Sequence, residues 1–159
     1  MKAKRFSFGR VAIVVLASLF VFGFTGCSWL SNLFGDDVTG TYTSSYGDSY
    51  VITSSTITYN DGGYGYDWEG DVVATDKDSD TASGYLYVKY TSVGTELDSS
   101  LVGNYTAIHY KDLSDTGALL SNAYKYNYDS YKSDLSEAKS EFTVDNGYFS
   151  CYGEYARSN

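Results

Sequence analysis

The stretch SYVITSSTITYNDGG, residues 49–63, decides the fold. Its two short runs, Ser49–Thr53 and Thr56–Asn60, are rich in β-branched and aromatic residues, which suit a pleated, half-buried surface. Ser54-Ser55 separates the runs, and Asn60-Asp61-Gly62-Gly63 closes the second. Asn and Gly tolerate positive φ, so this closing tetrad reads as a hairpin turn. Two strands and two turns in so short a space set a rhythm for the rest of the chain.

The same rhythm runs outward on both sides. Tyr, Thr, Val and Ile alternate with Gly, Asp, Asn and Ser, which predicts strands at 39–46, 49–53, 56–60, 64–74, 84–92, 102–110, 117–126 and 147–155. The chain contains no proline, so nothing bars these segments from the middle of a sheet. Asp134-Leu-Ser-Glu137 fits a capping box, and Leu135, Ala138 and Phe142 follow at helical spacing. One short helix is therefore expected at 134–143, before the last strand, with 127–133 as a loop. About eight short strands in one domain point to a mainly β fold, an antiparallel barrel or sandwich. Closure into a barrel would remove the exposed edges that promote aggregation. Gly40-Thr-Tyr42-Thr43 is echoed by Gly103-Asn-Tyr105-Thr106, too short a match to claim duplication.

The N-terminus has a different character. Lys2, Lys4, Arg5 and Arg10 precede an apolar run from Val11 to Phe24, followed by Thr25, Gly26 and Cys27. A basic region and a short apolar region followed by small residues form the secretory signal pattern. The run is shorter than the roughly 20 apolar residues that span a bilayer. Phe24-Thr-Gly-Cys27 resembles the lipobox of bacterial lipoproteins, in the relaxed form found in spirochaetes, with Phe24 where Leu is common. The resemblance implies cleavage before Cys27 and acylation of that cysteine. It divides the chain into a signal peptide (1–26), a lipid anchor and tether (27–38) and a β-barrel-like domain (39–159). It also implies attachment to the cell envelope, at the outer membrane if the cell is diderm. The opening Gly40-x-Tyr42, followed by meandering hairpins, is similar to the G-x-W start of lipocalin-like barrels. That likeness bears on the fold class alone.

From Cys27 onward, seven basic residues face twenty acids, a formal charge of −13. Like charges repel, so nucleic acid is excluded as a partner. Cationic proteins, cations and neutral ligands remain. The same region holds 20 Val, Ile and Leu residues against 18 Tyr, so tyrosines must fill part of the core. With Cys27 acylated, Cys151 has no disulfide partner and is expected to be a small buried residue. One Cys and one His cannot build a zinc cluster, and no cofactor is implied.

Few constellations carry chemistry. His109, the only histidine, sits on an expected strand and reads as a surface or structural residue. Ser136-Glu-Ala-Lys139 matches S-x-x-K, but the helix cap already accounts for these residues. Asp76-x-Asp78-x-Asp80 lacks the Gly and Glu that a calcium loop needs, and reads as a hairpin turn. Tyr64, Tyr66 and Trp68 alternate with Gly65, Asp67 and Glu69, so a strand would turn the three rings inward. They are the candidate ligand-binding residues. Tyr85 with Tyr87, and Tyr124, Tyr126 and Tyr128, repeat the spacing.

The expectation is therefore a lipid-anchored envelope protein that is not an enzyme. It would bind a small apolar or glycan-like ligand in a Tyr/Trp-lined barrel, or a protein on an acidic face. The alternatives are an inhibitor of a cationic enzyme such as lysozyme, and a purely structural surface coat.

Overall fold

A computed structural model describes residues 38–78 and 82–158. The expected signal peptide, Cys27 and all but the last residue of the expected tether lie outside the described residues. The described strands are β1 (Gly40–Ser44), β2 (Ser49–Ile52), β3 (Thr56–Asn60), β4 (Trp68–Lys77), β5 (Gly84–Val93), β6 (Tyr105–Lys111), β7 (Gly117–Asn122) and β8 (Gly153–Ser158). Each pairs antiparallel with the next, and β8 pairs with β1, which closes a barrel. The helix α1 (Leu135–Glu141) precedes β8, as the capping signal indicated. Asp134 is its N-cap, and its carboxylate accepts from the backbone N–H groups of Ser136 and Glu137 at 2.8 and 3.2 Å. That satisfies two of the donors a helix start leaves orphaned.

Register places the tyrosines in the interior. Tyr42 faces Tyr50, Tyr50 faces Tyr59, and Tyr59 faces Trp68, so an aromatic row crosses β1–β4. Ring centroids stand 4.7 Å apart for Tyr50–Tyr59 and 5.4 Å for the edge-on pair Trp68–Tyr90. Leu86, Val88, Ile108 and Leu120 complete this core. Gly70 is required beside the row, because a Cβ there would lie 2.3 Å from Val88 Cγ1. Register shifts at Glu69/Gly70 and Val72/Ala74 bulge β4 against β5. Such bulges strengthen the local twist of a strand.

β5 and β6 are covered on both faces. Their inward residues join the barrel core, while Tyr87 and Ala107 face out beneath Ala138, Phe142, Tyr148 and Phe149. The helix and the segment after it thus form a second, external core. Phe142 is fully buried there, and removing such a ring costs about 3–5 kcal/mol. Lys139 reaches Asp76 of β4 at 2.9 Å, a half-exposed pair of the kind worth about 0–1 kcal/mol.

Several expectations change. The fourth strand begins at Trp68, not residue 64, and the last spans 153–158 instead of 147–155. The seventh ends at Asn122, leaving Tyr124, Tyr126 and Tyr128 exposed on a loop. Cys151 is exposed, not buried, because Phe149 and Tyr152 are the residues of that stretch that pack toward the external core. The echo does not carry over to structure, since Tyr42 lies in the interior and Tyr105 packs on the external core.

Candidate functional site

The loop between β3 and β4 carries two of the three candidate binding residues. It begins where the turn signal lies, but Asp61 prevents the strand from resuming at Tyr64. Asp61 Oδ1 accepts from the N–H groups of Gly63 and Tyr64, both at 2.9 Å, and Oδ2 accepts from Tyr66 N–H at 2.6 Å. Those donors are lost to a strand ladder. Gly65 has φ +90°, outside β geometry, and a Cβ there would meet Thr95 Oγ1 at 2.8 Å. The loop is tied further by Asp61 N–H to Asp67 Oδ1 (2.8 Å), Gly94 N–H to the Asp67 carbonyl (2.7 Å) and Glu96 N–H to the Gly65 carbonyl (3.0 Å).

Trp68 therefore points inward at 5 % exposure, while Tyr64 and Tyr66 point outward at 77 % and 51 %. The three do not share a face. Instead Tyr64 and Tyr66 line an open cleft of about 640 Å³ with Tyr46, Tyr59, Asp48 and Asp61. Tyr46, on the β1–β2 turn, is 94 % exposed. Tyr59 reaches both places: it lines the cleft, and its ring centroid is 5.9 Å from that of Trp68.

The cleft carboxylates are held by internal donors. Asp48 accepts from the hydroxyls of Ser44 and Tyr155. Burial opposes ionisation of Asp61, but the N–H groups of Tyr66, Gly63 and Tyr64 outweigh it and hold its carboxyl below the usual range. The Tyr59 hydroxyl is pushed up to about 12, by burial first and then by the charges of Asp48, Asp61 and Asp67. The cleft is aromatic and electronegative.

A second cavity, of about 790 Å³, lies on the outer side of β5 and β6 around His109. His109 is 4 % exposed. Its Nε2 is 3.2 Å from Asp78 Oδ2, and its Nδ1 is 2.8 Å from the Tyr152 hydroxyl. Ser83 Oγ donates to Asp78 at 2.9 Å. Both ring nitrogens are thus engaged, and the histidine joins β6 to the β4–β5 turn and to the segment before β8. Burial pulls its pKa down, partly offset by the hydrogen bond and charge of Asp78.

The other motifs dissolve into packing. Lys139 pairs with Asp76 and lies 5.3 Å over the Tyr87 ring, so Ser136 and Lys139 serve the helix and its docking. Asp78 closes the β4–β5 hairpin with Ser83, and Asp80 lies outside the described residues. Among the described residues, no three His, Cys, Asp or Glu side chains converge as metal ligands would. Tyr46 escaped the sequence reading because its place beside Tyr64 depends on the pairing of β1, β2 and β3.

No protein-family model, curated protein or solved structure matches this chain.

Proposed function

We propose that this chain is a lipid-anchored cell-envelope protein with a non-enzymatic binding role. Its recognition surface is the cleft of Tyr46, Tyr59, Tyr64 and Tyr66. The observation that carries this reading is that three of these rings stand in solvent on turns fixed by the carboxylates of Asp61 and Asp48. Exposed aromatic rings on a pre-ordered loop lose little entropy on binding. The barrel interior is packed with Tyr42, Tyr50, Ile57 and Trp68, so the ligand sits at the end of the barrel and not in its lumen. The order of charged, apolar and small residues up to Cys27 supports the lipid anchor. Two acyl chains, at about 0.8 kcal/mol per buried CH₂, hold a protein stably to a membrane.

Two measurements test the two parts. Intact mass of the mature protein should begin at Cys27 with added acyl mass, and Cys27→Ala should abolish processing there. For the cleft, the full chain and its Tyr46→Ala/Tyr64→Ala/Tyr66→Ala variant are titrated with a panel of neutral sugars, alcohols and small cations. Binding that the triple variant loses supports the reading. Binding that survives it unchanged, or no binding anywhere in the panel, sinks it.

A further inference from the structure

The cleft can be compared with the tyrosines elsewhere on the barrel. Lys89 lies over Tyr105, Lys111 over Tyr152, Lys125 over Tyr128, Lys139 over Tyr87 and Arg157 over Tyr42, at 3.9–5.8 Å from the ring centroids. Five of the seven basic residues after Cys27 are placed in this way. A cation over a ring face is attracted by the negative face of the ring quadrupole. Among the described residues, no Lys or Arg lies over Tyr46, Tyr59, Tyr64 or Tyr66, and no other ring stacks on Tyr46, Tyr64 or Tyr66.

The carboxylates show the same gap. Asp48, Asp61 and Asp67 form no ion pair among the described residues. Asp48 and Asp61 line the cleft itself, so their charges face its open space. Here, then, are four tyrosines and an uncompensated negative field around an open space of about 640 Å³.

The hydrogen-bonding state narrows the ligand. Both oxygens of Asp61 already take backbone N–H groups, and both oxygens of Asp48 take hydroxyls. An ionised carboxylate has about four lone-pair sites, so these donors leave a sugar hydroxyl only the few sites that Asp61 and Asp48 have not filled. A cation without N–H donors asks for none of them; it needs only ring faces and the field. We infer that the cleft binds a quaternary ammonium group, of the kind carried by choline. The inference rests on the cleft being the recognition surface, and names its ligand class. Two sources share this chemistry, a free small cation and the headgroup of a choline lipid. The headgroup brings a phosphate, which the acidic cleft repels.

The test uses the full chain in a maltoside detergent, which carries no choline, with calorimetry as the readout. The probes are choline, its uncharged isostere 3,3-dimethylbutan-1-ol, glucose, and dihexanoyl phosphatidylcholine as monomers. Choline should bind about fivefold or more tightly than the isostere, the ratio that one cation–π contact supplies. Its affinity should fall as salt rises. Tyr64→Ala and Tyr46→Ala should each weaken it, while Tyr126→Ala, an equally exposed tyrosine on another loop, should not. Preference for choline over the monomeric lipid identifies a free cation, and the reverse identifies the headgroup; either ranking upholds the quaternary ammonium assignment. Equal binding of choline and its isostere overturns it. So does glucose binding that Tyr64→Ala abolishes while choline is silent, an outcome that keeps the cleft as the recognition surface. Loss of response to every probe, with the tyrosine variants indistinguishable from the parent, removes both.

Discussion

Tyr59 and Trp68 face each other across β3 and β4, ring centroids 5.9 Å apart and tilted by 33°. Through this pair an event in the cleft touches the barrel interior, because Trp68 also meets Tyr50 at 6.3 Å and Tyr90 at 5.4 Å. Buried tryptophan in such a row makes the site both stable and observable.

The first prediction concerns that tryptophan. In the full chain carrying Trp29→Phe, Trp68 is the sole tryptophan. Its emission should be blue-shifted and poorly quenched by iodide or acrylamide, since it is 5 % exposed. Trp68→Ala should destabilise the protein by about 3–5 kcal/mol, as ring truncation in a core does. Chemical denaturation with fluorescence and circular dichroism measures both. A red-shifted, fully quenchable Trp68 would contradict the inward orientation.

Asp61 is predicted to hold the cleft loop through its carboxylate. Asp61→Ala removes the acceptor of the Gly63, Tyr64 and Tyr66 N–H groups. Amide exchange at these three positions should quicken, while exchange in the barrel strands stays nearly as slow as in the parent. Hydrogen–deuterium exchange resolves the two regions. Unchanged protection at Tyr64 and Tyr66 would show that the contacts with Gly94 and Glu96 suffice to order the loop.

Cys151 is exposed. A thiol reagent such as dithionitrobenzoate should titrate one thiol per chain in the folded protein, nearly as fast as in urea. Two reactive thiols per chain would mean that Cys27 is not acylated. A slow reaction that accelerates only on unfolding would return Cys151 to the interior.

These cases mark what sequence conveys here. The strands at 49–52 and 56–60 were legible because their pattern is local: side-chain type, period and turn lie within one stretch. The α1 cap was legible for the same reason, Asp134 and Glu137 being one turn apart. The Tyr64–Trp68 alternation misled because period two also arises in a loop when a side chain captures the backbone donors, as Asp61 does. The Gly65 between the two tyrosines was the available sign, since glycine inside a strand pattern marks irregular backbone. The external core was half visible: Tyr85-Leu-Tyr-Val88 is a continuous apolar run of the kind that strands buried on both faces show. The partners of His109 were not legible at all, since Asp78 and Tyr152 lie 31 and 43 residues away. The sorting of tyrosines into interior, external core and cleft depends on register, which composition does not reveal.

The last prediction follows from His109. It lies against Tyr85, Phe149 and Tyr152, with Asp78 on Nε2 and Lys111, Asp112 and Asp145 around the same cavity. Burial disfavours its imidazolium, Asp78 favours it less strongly, and Lys111 adds to the disfavour, so its pKa lies below the ordinary value. An unfolded histidine titrates near about 6.5. Between that value and the lower folded one, the unfolded chain binds more protons, so stability rises with pH through the window. The stabilisation is fully present above the unfolded pKa and is lost as pH falls toward the folded one. Thermal midpoints should therefore drop between about pH 7.5 and about pH 5.5, a range above the ordinary titration of Asp and Glu. His109→Gln should be less stable at the upper end, because it disrupts the link to Asp78 and Tyr152, yet its midpoint should change less across the range. Parallel pH profiles for the two proteins would show that His109 is not the group whose protonation opposes folding.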